Sequence, residues 1–359
     1  MQIGIIGLLF SGKSTLFSTL LTHQVHTHKH KQDAERGILQ VPDNRLDKLR
    51  TLFNKQKQVN ATIEFVKLSE LEKEGHGGSG LPAQFLANIK TVDMIVHIVR
   101  FFTNDMYPHP DGSIDPERDI RYINSEFILS DLAIIEGRIE KLEKLIQKTQ
   151  DEKDKKELVV LKRCKAFLDE ERPLRELDLT EDEEFLIRGY QFLTQKKLLY
   201  VLNIDEGQIK NTDEIINSMK KIVTPGCDLT ALSAGIEKEI SQLNSEDARA
   251  FLDDLQISEP AVDKLIRLSY NLLDVHSFFT IGDDECRAWT IKTGATAYKA
   301  AGVIHTDMEK GFIRAEVVSY SDLIQFGSLQ ACREKGVLRL EGKEYIVKDG
   351  EILYIRFNV

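Results

Sequence analysis

The chain has 359 residues, of which 42% are hydrophobic, and its 48 basic and 58 acidic side chains give a formal charge of −10. This length allows two or three domains, and the acidic balance argues against general affinity for nucleic acids. Four widely spaced cysteines form no C-x-x-C pair, which argues against a zinc site or a disulfide framework. No apolar run reaches the roughly 18 residues of a membrane span, and the start reads as a core strand rather than a signal peptide. We therefore expect a soluble cytoplasmic protein without a membrane partner.

The first predicted elements are a strand, a glycine-rich loop and a helix. The apolar residues 3–6 lead into G-x-x-x-x-G-K-S, which runs from Gly7 to Ser14. In such a loop the backbone N–H groups face phosphate oxygens, Lys13 reaches the β- and γ-phosphates, and the Ser14 hydroxyl holds Mg²⁺. The start of the helix adds a partial positive charge. This motif predicts a site for a nucleoside triphosphate.

Four further apolar runs predict strands, at residues 63–66, 94–99, 198–204 and 229–232. Near-continuous apolar strands separated by helical stretches indicate a parallel sheet that is covered on both faces. Ligands of such sheets bind at the carboxyl ends of the strands. The segments that directly follow these runs are therefore the candidates for binding residues.

The sheet pattern is interrupted between about 105 and 190. Apolar residues recur at spacings of four and three from 128 to 146, residues 149–154 read as a polar turn, and 158–168 continue in helical register. Two antiparallel helices in a hairpin are the simplest interpretation.

The chain after about residue 275 is rich in short β patterns separated by glycines. This texture predicts a small mixed α+β domain of about 80 residues, with one short helix at 297–302. Residues 278–359 contain 11 basic and 12 acidic side chains, so charge alone gives no nucleic-acid signal there.

Several segments resemble one known family. Residues 203–206 read N-I-D-E, where GTPases usually carry N-K-x-D with an aspartate that accepts two hydrogen bonds from guanine. This variant, the helical insertion and residues 294–318 together resemble the YchF family, the Obg-like ATPases of the P-loop GTPase class. Residues 41–49 and 84–102 are also similar to that family, and 341–359 resembles its C-terminal TGS domain.

The resemblance implies an α/β fold in which a P-loop parallel sheet carries a helical-hairpin insertion and a C-terminal β-grasp (TGS) domain. The implied organisation is a P-loop domain in two parts, 1–105 and 191–275, with the hairpin at 106–190 and the TGS domain at 276–359. We expect a monomer.

The same resemblance implies binding of ATP in preference to GTP, slow hydrolysis and association with the ribosome. By position, Gly7 opens the phosphate loop and Ser14 is the metal ligand, while His97 would assist hydrolysis. An alternative for His97 is a hydrogen-bonded core histidine. The remaining implied residues contact the nucleotide: Phe10, Ser11, Gly12, Lys13, Ser14 and Thr15 at the phosphates, and Asn203, Glu206, Ser233, Ala234 and Gly235 near the base.

Two switch segments depart from the family pattern. Lys67 stands where the family has an aspartate of the magnesium shell, and Glu70 stands where it has a glycine at the γ-phosphate. Each unfavourable contact near 4 Å costs on the order of 4 kcal/mol at a protein surface, so both changes weaken binding of Mg²⁺ and triphosphate. The family's switch threonine is also missing: Lys31 stands near its place, and Thr27 would replace it only if the loop repacks.

Two patterns keep more than one interpretation. His23, His26, His28 and His30 alternate along one segment, which suits either a zinc or nickel site or simply a polar loop. The glycine-rich residues 75–80 have the conformational freedom of a lid or switch loop.

Three functions remain to be compared. The first is an active, Mg²⁺-dependent ATPase or GTPase switch, and the second is a nucleotide-dependent scaffold with little or no hydrolysis. A third, a small-molecule kinase, would need a substrate site and a catalytic acid that the sequence does not reveal. Lys67 and Glu70 favour slow or impaired hydrolysis, with Mg²⁺ binding weakened.

Overall fold

The computed structural model describes residues 1–22, 35–68, 81–257 and 259–358. Within these ranges the strands are β1 (Gln2–Ile6), β2 (Glu35–Gln40), β3 (Lys57–Val59), β4 (Thr62–Lys67), β5 (Met94–Arg100), β6 (Lys197–Asn203), β7 (Cys227–Leu232), β8 (Val275–Ile281), β9 (Glu285–Lys292), β10 (Phe312–Val318), β11 (Arg339–Glu341) and β12 (Ile352–Phe357). The helices are α1 (Lys13–Thr22), α2 (Asn44–Leu52), α3 (Ala83–Lys90), α4 (Pro116–Thr149), α5 (Glu152–Asp169), α6 (Glu181–Ile187), α7 (Thr212–Met219), α8 (Ala234–Ile240), α9 (Ser245–Asp254), α10 (Ala261–Leu273), α11 (Ala297–Ile304), α12 (Thr306–Lys310), α13 (Tyr320–Phe326) and α14 (Leu329–Glu334).

The first sheet has the strand order β2-β4-β1-β5-β6-β7. Strand β1 pairs in parallel with β4 and β5, and β6 pairs in parallel with β5 and β7. All seven residues of β5 are buried, as expected for a strand covered on both faces. The carboxyl ends of β1, β5, β6 and β7 therefore lie at one edge, where their connections meet. This arrangement confirms the predicted P-loop parallel sheet.

The helical interruption is a hairpin of α4 and α5. Asp115 caps α4, Gln150 ends it in the left-handed conformation with φ 54°, and Asp151 caps α5 at once. The turn is shorter than the predicted 149–154, because Gln150 ends α4 and the next residue, Asp151, already caps α5. The predicted apolar stripe packs inside the hairpin in one cluster that includes Ile135 and Leu161.

The second sheet has the order β11-β10-β12-β8-β9-β3. Strands β8 and β9 form an antiparallel hairpin, β12 runs parallel to β8 and antiparallel to β10, and α11 packs its buried alanines on the sheet. This is the predicted β-grasp topology. One strand was not foreseen: β3 pairs in parallel with β9 and extends the sheet.

The chain divides into two units. Residues Met1–Gly37 and Glu64–Val262 form the first, and Ile38–Ile63 joins Asp263–Val359 in the second. The segment 38–63, which the sequence placed within the first domain, thus belongs to the second unit. Arg45 of this segment contributes to that association, because its guanidinium binds Asp349 of the C-terminal region at 2.8 Å as well as the nearby Asp43.

No helix in the described ranges combines the length and the apolar character that crossing a membrane requires.

Candidate functional site

A cavity of about 620 Å³ opens at the carboxyl edge of the first sheet. It is lined by residues 8–15 after β1, by 102–104 and 107 after β5, by 203–206 at the end of β6, and by 233–236 and 239 at and within α8. Its size is typical of a small-molecule site. Every nucleotide-contacting residue expected from the sequence lines it except Gly7, which lies just before the lining begins.

The loop after β1 has the backbone of a phosphate site. Gly12 has φ +89°, a conformation that side chains rarely adopt, and the helical bond from Leu16 N to Gly12 O starts α1 immediately afterwards. Lys13 at the first helical position is only 3% exposed and lines the cavity. The unpaired N–H groups of a helix start attract anions, so this end of the cavity suits phosphate.

Asn203 ties two sides of the cavity together. Its Nδ2 donates to the Ser11 carbonyl at 3.0 Å, and its Oδ1 accepts from the Ala234 N–H at 2.9 Å. A Cβ on Gly12 would lie 2.0 Å from this Nδ2, so the close approach also requires glycine. The side chain of Asn203 therefore sets the distance between the phosphate loop and α8.

The base side carries two neighbouring carboxylates with different surroundings. Asp205 accepts from the Thr103 N–H at 3.1 Å and from the Thr103 hydroxyl at 3.3 Å. Glu206, the residue singled out from the sequence, is exposed and also lines the cavity. Sequence reasoning missed Asp205 and Thr103; the signal available was a carboxylate directly after a buried strand.

Arg100 contacts the segment 102–104, which lines the cavity beside Asp205. Its Nε donates to the Phe102 carbonyl at 3.1 Å, its Nη2 lies 3.5 Å from the Asn104 carbonyl, and its guanidinium stands 4.6 Å from the centre of the Phe102 ring. Burial lowers the pKa of this arginine from its usual value. Phe102 and Tyr107, two aromatic residues that sequence reasoning missed, border the cavity beside the predicted Phe10, and the ring centres of Phe10 and Tyr107 lie 5.3 Å apart.

The metal side of the site differs from the phosphate side. Ser14 lines the cavity, but β4 presents Lys67, which is paired in register with Ile5 of β1. The Lys67 ammonium binds the Glu35 carboxylate at 3.2 Å. The carboxylates that line the cavity within the described ranges are Asp205, Glu206 and Glu239, none of which comes from β4. The phosphate loop therefore fits a nucleotide. On the metal side, Ser14 lines the cavity as predicted, but β4 carries Lys67 where a carboxylate ligand would be expected.

Comparison with known proteins identifies relatives over the full length. The family model YchF-GTPase_C, described as a protein of unknown function (DUF933), matches residues 275–358. The Ribosome-binding ATPase YchF of Haemophilus ducreyi is 42% identical over 359 residues, and that of Bacillus subtilis is 39% identical over 362 residues, with 99% of each chain covered. The solved structure of the Schizosaccharomyces pombe YchF GTPase has a TM-score of 0.88 at 30% identity and covers 99% of this chain and 97% of its own.

The chain belongs to the YchF family.

The YchF resemblance gave His97 a part in hydrolysis, but the structure does not bring this residue to the cavity. His97 is 1% exposed, lies opposite Ile6 and Tyr200 on neighbouring strands, and neither ring nitrogen has a hydrogen-bond partner within the described residues. Burial lowers its pKa to about 3, so the ring is neutral at pH 7. It is a core histidine here, although not the hydrogen-bonded one considered from the sequence. Its hydrolytic role stays a prediction.

Other predictions fall on residues outside the described ranges: Glu70, Thr27, Lys31, the four histidines at 23–30 and the glycine-rich segment 75–80. Within the described ranges, one His/Asp group is compact enough to hold an ion, namely His109, Asp111 and Asp119. Arg118 already pairs with both carboxylates, with Nη2 3.0 Å from Asp119 and 3.4 Å from Asp111. This group is an internal ion-pair cluster at the start of α4.

Proposed function

We propose that this YchF-family chain binds ATP in preference to GTP, hydrolyses it slowly or not at all, and associates with the ribosome. The observation that carries the proposal is the contrast around β1: the phosphate loop is complete, while β4 offers Lys67, held by Glu35, in place of a carboxylate. Ribosome association is proposed because curated full-length relatives are named ribosome-binding ATPases.

The phosphate half of the cavity supports nucleotide binding. Lys13 and the first N–H groups of α1 bring positive charge to a concave site, and Asn203 holds the loop in shape through the carbonyl of Ser11. Charge-assisted hydrogen bonds of this kind are about twice as strong as neutral ones. Ser233, Ala234 and Gly235 would enclose the nucleotide from the opposite side.

The preference for adenine rests on the base side. Guanine offers two adjacent donors that suit a well-placed carboxylate, whereas the exocyclic amine of adenine needs a single acceptor. The Asp205 carboxylate already accepts two hydrogen bonds from Thr103, and Glu206 is longer than the aspartate of the GTPase motif. Ile204, where that motif has lysine, is buried among core residues. These features favour ATP over GTP.

Impaired hydrolysis follows from the metal side. When bound, Mg²⁺ neutralises the charge that develops on the β- and γ-phosphate oxygens. Ser14 would hold it, but the ammonium of Lys67 on the neighbouring strand repels a divalent cation. Lys13 and Lys67 together would then balance much of the phosphate charge, with weak dependence on the metal.

Calorimetric titration with ATP, GTP and ADP, each with and without Mg²⁺, tests this proposal directly. We expect ATP to bind more tightly than GTP, with an affinity that changes little when Mg²⁺ is removed. Steady-state measurement of the ATP hydrolysis rate distinguishes the two alternatives, a fully active Mg²⁺-dependent switch and a scaffold that does not hydrolyse nucleotide. Co-sedimentation with ribosomes and light scattering test the proposed partner and a monomeric state.

A further inference from the structure

A short segment between β5 and α4 borders the cavity of the first unit. Residues 102–107, here called the strap, follow β5, and four of them line the cavity: Phe102, Thr103, Asn104 and Tyr107. The strap contacts the phosphate loop through one residue and the segment after β6 through another. It therefore joins the phosphate side of the cavity to the base side.

Buried groups fix both ends of the strap. At its start, Arg100 is 3% exposed, and its Nε donates to the Phe102 carbonyl at 3.1 Å. Beyond its end, His109 is 8% exposed, and its Nε2 lies 2.9 Å from the carboxylate of Asp119 in α4, which is also buried. Pro108 stands between the strap and His109, and its ring fixes φ at that point. These contacts hold the two ends in place.

The middle of the strap is held by exposed contacts instead. Thr103 is exposed, and its N–H and hydroxyl both donate to the Asp205 carboxylate, at 3.1 and 3.3 Å. The rings of Tyr107 and Phe10 are 51% and 40% exposed, and their centres lie 5.3 Å apart at an angle of 42°. Segments with few buried contacts open locally at lower free-energy cost than the core does. The middle of the strap can therefore open while its ends stay fixed.

The backbone of Phe10 points to the same place. Its φ is +61°, which is an outlier for a bulky side chain. Such conformations persist where the surroundings hold them, and they cluster at ligand clamps and switch segments. The Tyr107 ring packs against this residue, and the Asn104 Oδ1 sets its position by accepting from the N–H groups of Met106 at 3.0 Å and Tyr107 at 3.3 Å. The strap thus packs on the strained point of the phosphate loop.

We propose that the strap closes over a nucleotide in the cavity and limits the rates at which nucleotide enters and leaves, with Thr103 and Tyr107 as its positioning residues. Both act by contacting other parts of the protein, Asp205 and Phe10, so these contacts resist opening whether the cavity is filled or empty. Loss of either contact should speed entry and exit together and leave the equilibrium affinity nearly unchanged. The inference rests on the proposed binding of nucleotide, and not on base preference, Mg²⁺ or the ribosome.

Stopped-flow mixing of the full chain with N-methylanthraniloyl-ATP measures both rates, and calorimetry with unlabelled ATP gives the affinity. We expect Tyr107→Ala to raise the association and dissociation rate constants about fivefold each, the size expected for loss of an aromatic pair, and to change Kd by less than about twofold. Thr103→Val removes the hydroxyl bond to Asp205 but keeps the N–H bond, and should raise both rate constants about threefold. Tyr107→Phe and Thr103→Ser keep the contacts and should exchange nucleotide like the parent.

Matched controls separate the strap from general exposure. Phe185→Ala removes a ring of α6 that is 58% exposed, and Thr149→Val removes an exposed hydroxyl that donates to the Leu145 carbonyl in α4. Both variants should exchange nucleotide at the rates of the parent.

Hydrogen exchange of the chain without nucleotide gives a readout that does not depend on binding. Tyr107→Ala should speed exchange of the strap N–H groups about fivefold and leave α3 unchanged. General loss of stability would instead speed exchange in both segments, and that result would overturn the proposal.

The proposal is also overturned if Tyr107→Ala raises only the dissociation rate and Kd rises with it, since the ring would then bind the nucleotide rather than hold the strap. Equal acceleration by Phe185→Ala would overturn it as well. If the parent chain binds no ATP, the proposed function fails and this inference fails with it. If the parent binds ATP but the Tyr107→Ala and Thr103→Val variants exchange it at the parent's rates, this inference alone fails.

Discussion

The loop that follows β1 and the neighbouring strand β4 both lie beside β1, but their side chains differ in what they can bind. The loop that follows β1 retains a glycine at φ +89°, a buried lysine and a helix start, all suited to phosphate. The adjacent strand β4 ends in Lys67, whose ammonium binds Glu35. In the proposed function, binding of the nucleotide and reaction of its γ-phosphate therefore depend on separate segments, so that one can be retained while the other changes.

The largest effect is expected on the phosphate side. Lys13→Ala removes a buried cation from the cavity, and loss of its charge-assisted contacts, worth about 1.5–3 kcal/mol, should weaken ATP binding roughly 10- to 100-fold. Isothermal titration calorimetry measures this directly. Lys48→Ala, on α2 in the second unit, is the matched control and should bind normally. Equal ATP affinity of Lys13→Ala and the parent would contradict the assignment of the phosphate site.

The metal side should respond in the opposite direction. Lys67→Asp combined with Glu70→Gly restores the charge pattern of the family and should raise ATP turnover by about tenfold, with a new dependence on Mg²⁺. A phosphate-release assay over a Mg²⁺ titration measures both quantities. Lys57→Asp on β3 makes the same charge change as Lys67→Asp at a position away from the site and should have no effect. Rapid Mg²⁺-dependent hydrolysis by the parent chain would show that another group completes the metal shell.

A smaller effect is expected on base choice. Glu206→Asp shortens the exposed carboxylate of the cavity toward the GTPase pattern, and should reduce the preference for ATP over GTP by about threefold, roughly 0.6 kcal/mol. Competition binding with both nucleotides gives the ratio, and Glu214→Asp on α7 is the control. A parent chain that already prefers GTP would reject the assignment of the base side.

The smallest effect on turnover is expected at His97. Because its ring is buried away from the cavity, His97→Leu should change ATP hydrolysis less than about twofold, and a larger fall would support the hydrolytic role.

The same residue should nevertheless affect stability in acid. A pKa of about 3 in the folded chain, against 6.5 ordinarily, means that the unfolded chain binds an additional proton below pH 6.5. The contribution to stability is complete above that pH and falls by about 1.4 kcal/mol per unit as pH decreases toward 3. Urea unfolding of His97→Leu between pH 7 and 4.5 should show a correspondingly flatter dependence than the parent.

Much of this site could be predicted because its chemistry is local in sequence. The phosphate loop occupies consecutive residues, and the buried strands read as continuous apolar runs, so their carboxyl ends pointed to the binding edge. The support that Arg100 gives to Phe102 and the hydrogen bonds from Thr103 to Asp205 could not be predicted in the same way. They depend on which residues come together after the carboxyl ends of β5 and β6. The sequence N-I-D-E alone does not show that Asp205, and not Glu206, accepts the hydrogen bonds from Thr103.

The strand β3 escaped prediction for a different reason. Its three residues are too few and too polar to produce a periodic pattern. Its partner is distant in sequence, and no local signal marks a strand whose stability comes from pairing with β9.

The pairing of β3 with β9 has a consequence for synthesis of the chain. Lys55 binds the Asp283 carbonyl 228 positions later, and Arg45 binds Asp349 at a separation of 304. Since a chain is made from its N-terminus, the segment 38–63 must wait for almost the whole sequence before its partners exist, and such distant contacts form slowly. Residues 275–358 produced alone would lack β3 and leave the edge of β9 unpaired, which invites association between copies. We therefore expect that a fragment of the second unit folds independently only if it includes residues 38–63 as well as residues 275–358.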